Sequence, residues 1–118
     1  METIETIIQW HQETFPDTTL EEQWHKLKLE MEEFDKAKSY NKVKELADIF
    51  IATCCVARFS LSFSLCLFSI IYKILSHLEN KQICIFDKAI NDKMAINRKR
   101  TWHKINGEWR HKDDDINN

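Results

Sequence analysis

The stretch KVKELADIFIATCCVARF, residues 42–59, decides the fold. Val43, Leu46, Ala47, Phe50 and Cys54 recur at helical spacing and form one apolar stripe. The opposite face carries Ile49, Ala52 and Val56, so this helix is apolar nearly all round, as a buried helix is. Glu45 and Asp48 lie on that second face, one helical turn apart and about 60° around the axis. Two like charges in a buried position are costly unless something neutralises them. The rest of the chain is read outward from this helix.

Toward the N-terminus, Ser39-Tyr40-Asn41 reads as a short connection, with Asn41 as a helix cap. Before it, Leu20, Trp24, Leu27, Met31 and Phe34 make the apolar stripe of a second helix reaching to near Lys38. Thr18 with Glu21, or Thr19 with Glu22, has capping-box spacing at its start. A first helix is expected over Glu2 to Thr14, ended by Pro16. Glu30 and Glu33 flank the stripe of the second helix, while Glu32 points into solvent. A short connection favours antiparallel packing of neighbouring helices, so the two acidic pairs can face one point. Four converging carboxylates with no His or Cys beside them suit a hard cation with oxygen ligands, Mg²⁺ or Mn²⁺. Each pair taken alone also fits a solvated surface charge.

Toward the C-terminus, a fourth helix is expected within Ser62–Leu78, although the Ser/Leu alternation at 60–65 also suits a strand. Asn80-Lys81-Gln82 reads as a loop, and a last helix is expected over Ile83 to Arg100. Phe86, Ala89 and Ile90 define its core stripe. Lys93, Asn97 and Arg100 continue that stripe, so cations and an amide stand where apolar residues belong. Such a ladder suits an anionic ligand, phosphate above all. The other reading is a helix end leaving the core, with cations favoured by the macrodipole. The tail from Thr101 holds the only glycine, Gly107, and residues 113–118 read as a frayed, disordered end.

Composition agrees with an all-α chain. One Gly and one Pro in 118 residues leave too few turn residues for an all-β fold. The length suits one domain, residues 1–112. Seventeen basic and nineteen acidic residues give a net charge of -2, so no general attraction to nucleic acid is expected. Cys54, Cys55, Cys66 and Cys84 sit among apolar residues without CxxC spacing and read as reduced core thiols, hence a cytoplasmic location. The start, Met-Glu-Thr-Ile-Glu, has neither the basic residues nor the apolar run of a signal peptide. Phe59 to Tyr72 is uncharged for 14 residues, short of the roughly 20 a spanning helix needs. A core or subunit-interface segment is expected there rather than a membrane span. The five histidines show no HxxxH spacing, and one Gly cannot build a phosphate loop.

With Glu30-Met-Glu-Glu33 followed by Glu45-Leu-Ala-Asp48, the chain resembles the MazG-like all-α nucleoside triphosphate pyrophosphatases, whose pattern is ExxE and then ExxD. Within them it looks most like the dATP/dGTP pyrophosphohydrolases of phages and bacteria. The matching features are Trp10, Phe15, Trp24, Leu27, the Lys93-xxx-Asn97-xx-Arg100-x-Trp102 run and the closing Gly107 to His111. Arg58 to Lys81 matches only as apolar helical filler. Many MazG sequences have a second acid just before the first motif; here that position is Leu29.

The resemblance implies a four- to five-helix bundle assembled as a dimer or tetramer. It implies that Glu30, Glu33, Glu45 and Asp48 hold Mg²⁺, with Mn²⁺ as a substitute, and that Glu33 orients the attacking water. Lys93, Asn97 and Arg100 would bind the phosphates. Trp10 or Trp102 would stack on the base, and core packing is the other reading for each. The expected reaction turns a deoxynucleoside triphosphate, dATP or dGTP, into the monophosphate and pyrophosphate in the cytoplasm of a bacterium or phage-infected cell. No membrane or nucleic-acid partner is expected. The alternatives are the same chemistry on dUTP or dCTP, a non-catalytic helical adaptor, and a small membrane-associated protein using Ile49–Tyr72.

Overall fold

Helix α3, Lys42–Ala57, is the centre of the molecule. The other helices are α1 (Ile4–Thr14), α2 (Leu20–Lys36), α4 (Leu61–Ser76) and α5 (Asn80–Lys99), and α3 packs against all four. The computed structural model describes residues 1–111, so the expected frayed end at 113–118 lies outside the described residues. Leu46, Ala47, Ile51, Cys54, Cys55, Val56 and Ala57 of α3 are buried. The core gathers Ile7, Trp10 and Phe15 from the α1 side and Ile71, Phe86, Ile90 and Met94 from α4 and α5. The described residues are thus mostly helical and close around one core.

Local chemistry sets the helix ends. Thr3 caps α1, its hydroxyl accepting the Thr6 N–H while Thr6 accepts the Thr3 N–H. Of the two options at the start of α2, Thr19 takes the cap and accepts from the Glu22 N–H at 3.2 Å. The Glu22 carboxylate turns instead to the Thr18 hydroxyl. Asn41 occupies the cap position of α3 after a 3₁₀ turn, Ser39–Asn41, but its side chain makes no capping bond. Arg58, just past α3, donates to the carbonyls of Phe15 and Pro16 at 2.8 and 3.2 Å and so ties down the α1–α2 turn.

Three expectations need correction. Residues 80–82 are the first turn of α5, not a loop, because the Gln82 side chain accepts the Glu79 N–H at 3.1 Å and closes the turn. The helix expected within 62–78 does form, as α4, and the strand that the alternation also suits does not. Cys66 and Cys84 are exposed, so only Cys54 and Cys55 are core thiols. Met31 is 46% exposed, so the α2 stripe is buried at Leu27 and not along its whole length.

One element was not expected at all. Trp102–Ile105 (β1) and Glu108–His111 (β2) form an antiparallel hairpin in which Trp102 pairs with His111 and Ile105 with Glu108. Its two-residue turn needs positive φ at both positions, and Asn106 (φ 54°) and Gly107 (φ 81°) supply it. Among the described residues no helix is long and apolar enough to cross a membrane.

Candidate functional site

α2 and α3 bring Glu30, Glu45 and Asp48 together. One carboxylate oxygen from each lies within 4.8 Å of the others. All three are half-buried. Glu30 Oε2 and Glu45 Oε2 are buried without a hydrogen-bond donor. Burial and the neighbouring Asp48 and Glu33 charges raise the Glu30 carboxyl to about 7. Burial likewise raises Glu45, with Asp48 and Glu33 adding to it. Asp48 is raised by burial against the opposing pull of Lys93. Protein groups alone therefore do not hold three ionised carboxylates here comfortably. Acceptor oxygens without donors, clustered and resisting ionisation, fit an oxygen-seeking divalent cation.

Glu33, the fourth expected ligand, is exposed and stands outside this group of three. It lines the same cavity, and its charge reaches all three carboxylates. Lys93 comes from α5, with its Nζ 4.0 Å from Asp48. Asn97 is buried beneath it, and Arg100 donates to Asn97 Oδ1 at 3.2 Å. The cationic ladder thus closes over the acidic face of α3 rather than trailing into solvent.

Glu30, Glu33 and Asp48 line one cavity of about 350 Å³ together with Lys93, Asn97 and Arg100, while Glu45 is not among its lining residues. Trp10 and Trp102 also border it. Trp10 is 8% exposed and meets Phe15 and Trp102 edge to face at 5.6 and 6.2 Å. Trp102 donates its indole N–H to the Asn97 carbonyl at 3.2 Å. Comparison with family models, curated proteins and solved structures finds no match for the chain.

The cavity has lining residues that the sequence did not single out. His11 and Gln23 are buried in its wall. Arg58 can only donate, so its contact with His11 Nδ1 at 3.2 Å makes that nitrogen the acceptor and puts the ring proton on Nε2. Burial, then Arg58, lowers His11 to about 4, so the ring is neutral at neutral pH. Gln23 passes the chain on, donating to Thr18 Oγ1 at 2.7 Å. Lys26 on α2 and Trp109, Arg110 and His111 on β2 complete the wall. Periodicity cannot assign His11, Gln23 and Lys26 to the site, because only packing brings α1, α2 and β2 to one cavity, and Trp109 to His111 lie in the closing stretch, to which the resemblance gave no role.

Proposed function

We propose that this chain is a metal-dependent nucleotide pyrophosphohydrolase converting a deoxynucleoside triphosphate, dATP or dGTP, to the monophosphate and pyrophosphate. The observation that carries the reading is the single cavity in which Glu30 and Asp48 face Lys93, Asn97 and Arg100. Carboxylates for a cation and cations for an anion, side by side, suit a metal–triphosphate ligand. A solvated ion-pair surface would not leave Glu30 Oε2 and Glu45 Oε2 buried without donors.

Glu30, Glu45 and Asp48 would hold Mg²⁺ or Mn²⁺, which when bound supplies positive charge for the phosphate oxygens and acidifies water. Glu33, exposed at the cavity edge, orients the attacking water and accepts its proton. The water oxygen bonds to the α-phosphorus as the bond to the β-phosphate oxygen breaks. Lys93, Asn97 and Arg100 take the charge that develops on departing pyrophosphate. The exposed apolar residues Leu61, Leu65 and Tyr72 of α4 are subunit contacts of a homodimer or homotetramer.

The test is incubation with each dNTP and Mg²⁺, followed by product identification. Pyrophosphate and monophosphate are expected, with purine substrates faster. Orthophosphate as the first product sinks the mechanism. A preference for dUTP or dCTP sinks only the base assignment.

A further inference from the structure

A second hollow of about 340 Å³ lies between α2 and β2. Lys26 and Leu29 of α2 and Trp109 and Arg110 of β2 border both it and the carboxylate cavity. The two hollows therefore adjoin and form one cleft, sharing these residues of helix and hairpin. A ligand anchored at the carboxylates and extending into the second hollow passes these shared residues.

Three tryptophans border the carboxylate cavity, and only Trp109 borders the second hollow as well. Trp10 is buried among Phe15, Trp102 and His11. Trp102 is wedged against Phe15 and His111, with ring centroids at 5.0 and 5.5 Å, and its N–H is engaged by Asn97. Trp10 is core, whereas Trp102 is half-buried like Trp109 but borders only the carboxylate cavity. Trp109 is half-buried and borders both hollows. It meets Phe15 at 5.2 Å. Its indole N–H donates to Asp17 Oδ1 at 3.2 Å, and Asp17 Oδ2 takes Lys104 Nζ at 2.5 Å. Asp17 is exposed and borders neither hollow, so it holds the indole from behind. Leu29, 44% exposed, lies on the opposing wall. Lys104, which borders neither hollow, lies over the indole with its Nζ 5.3 Å from the centroid, and an indole and an aliphatic side chain lining the same hollow suit a flat, apolar-faced ring.

We infer that Trp109 is the nucleobase-binding residue of this cleft and that Asp17 is the positioning residue that sets its indole. The inference rests on the nucleotide reading above. Lys26 and Arg110, which also border both hollows, offer donors to acceptors on the base edge. The phosphates are left to Lys93, Asn97 and Arg100.

The experiment compares two probes, dAMP and inorganic triphosphate, by calorimetric titration with Mg²⁺ present. The proteins are the parent, Trp109→Ala, Trp109→Phe and Asp17→Ala, each first checked by a thermal melt. Trp109→Ala should weaken dAMP at least about tenfold, the usual scale for losing one stacked aromatic. Triphosphate affinity should stay within about twofold. Trp109→Phe should keep most of the dAMP affinity while losing the tryptophan quenching that dAMP causes in the parent. Asp17→Ala should weaken dAMP and spare triphosphate. Equal losses for both probes, or unchanged dAMP affinity in Trp109→Ala, overturn the inference. If the parent hydrolyses dNTPs while Trp109→Ala binds dAMP normally, only this inference fails. If the parent neither hydrolyses nor binds nucleotides, the nucleotide reading falls with it.

Discussion

Asp48 stands between a lysine and two glutamates, and its position sets two opposite demands. Lys93 Nζ, 4.0 Å away, favours its charge, while burial and Glu33 oppose it. Asp48→Asn should therefore leave the stability of the metal-free protein unchanged or higher. It should also cut hydrolysis at least about 10²-fold, the scale of one lost charge interaction in the transition state. The parent should gain about 2.7 kcal/mol at a hundred times the metal's dissociation constant. Asp48→Asn should lose most of that gain. Thermal melts of both proteins with Mg²⁺ and with chelator, at matched ionic strength, check this; a parent indifferent to divalent ions overturns the metal assignment. Glu30 adds a pH dependence. Its carboxyl is raised to about 7, so between pH 4.5 and 7 the folded state holds a proton that the unfolded state has lost. Stability then falls as pH rises through that window. Glu30→Gln removes this loss, so in chelator its advantage over the parent should grow from pH 4.5 to 7 and then level. The slope is at most about 1.4 kcal/mol per pH unit, less for solvent screening. Denaturant melts at several pH values measure it, and a pH-independent difference contradicts it. The acids and the cationic ladder were legible because charge on a helix face that continues a core stripe breaks the pattern. His11, Gln23 and Lys26 break no pattern, and only packing brings them to the cavity.

The hairpin shows a signal that was present but set against the composition. Asn106-Gly107 is the dipeptide that a two-residue turn with positive φ demands, and short alternating segments flank it. A chain with one Gly and one Pro reads as helices followed by a tail from Thr101 with no element of its own, and that reading hid a hairpin over residues 102–111. At residues 61–65 the conflict ran the other way. Ser and Leu alternate there because α4 is apolar on three sides. Ser64 and Ile71 are buried toward α3; Leu61, Leu65 and Tyr72 line one flank; Phe63, Ile70 and Ile74 line the other. Ser62, Ser69 and Lys73 face outward between the flanks. Periodicity over five residues cannot separate that arrangement from a strand, but α4 continues to Ser76 and settles on the helical period. The hairpin turn gives a prediction of its own. A Cβ added at Gly107 meets nothing within 4 Å, so Gly107→Ala costs only the backbone conformation at φ 81°. That cost is about 1–2 kcal/mol. The expected result is a hairpin that opens more often, seen as faster amide exchange at Lys104 to Arg110, with helical circular dichroism unchanged. Exchange as slow as in the parent would mean that Trp102 and Trp109, not the turn, hold the hairpin.

At the scale of the whole molecule, the described chain encloses its acidic centre but leaves α4 uncovered. α3 is wrapped by α1, α2, α4 and α5, whereas α4 rests chiefly on α3. Leu61, Leu65 and Tyr72 are 61%, 56% and 74% exposed along one flank. Phe63 on the other flank already meets Trp24 of α2, with ring centroids 4.3 Å apart. The first flank is therefore the more open one, and contiguous apolar surface of this kind marks association. In the proposed assembly a second copy covers it. The closed symmetry of most homo-oligomers then makes the same flank a contact on both copies. A single charge placed there meets its own copy across the interface, where two like charges lose solvent together. Leu65→Glu should thus shift the protein from a multiple of 14.2 kDa toward the single-chain mass. Sedimentation equilibrium over a concentration series measures the shift. Because Leu65 lies away from the carboxylate cavity, the carboxylates should still respond to Mg²⁺ in a thermal melt. That response separates loss of assembly from loss of fold. A parent that sediments as a single chain at tens of micromolar, or a Leu65→Glu variant that stays assembled, would show that this flank is not where copies meet.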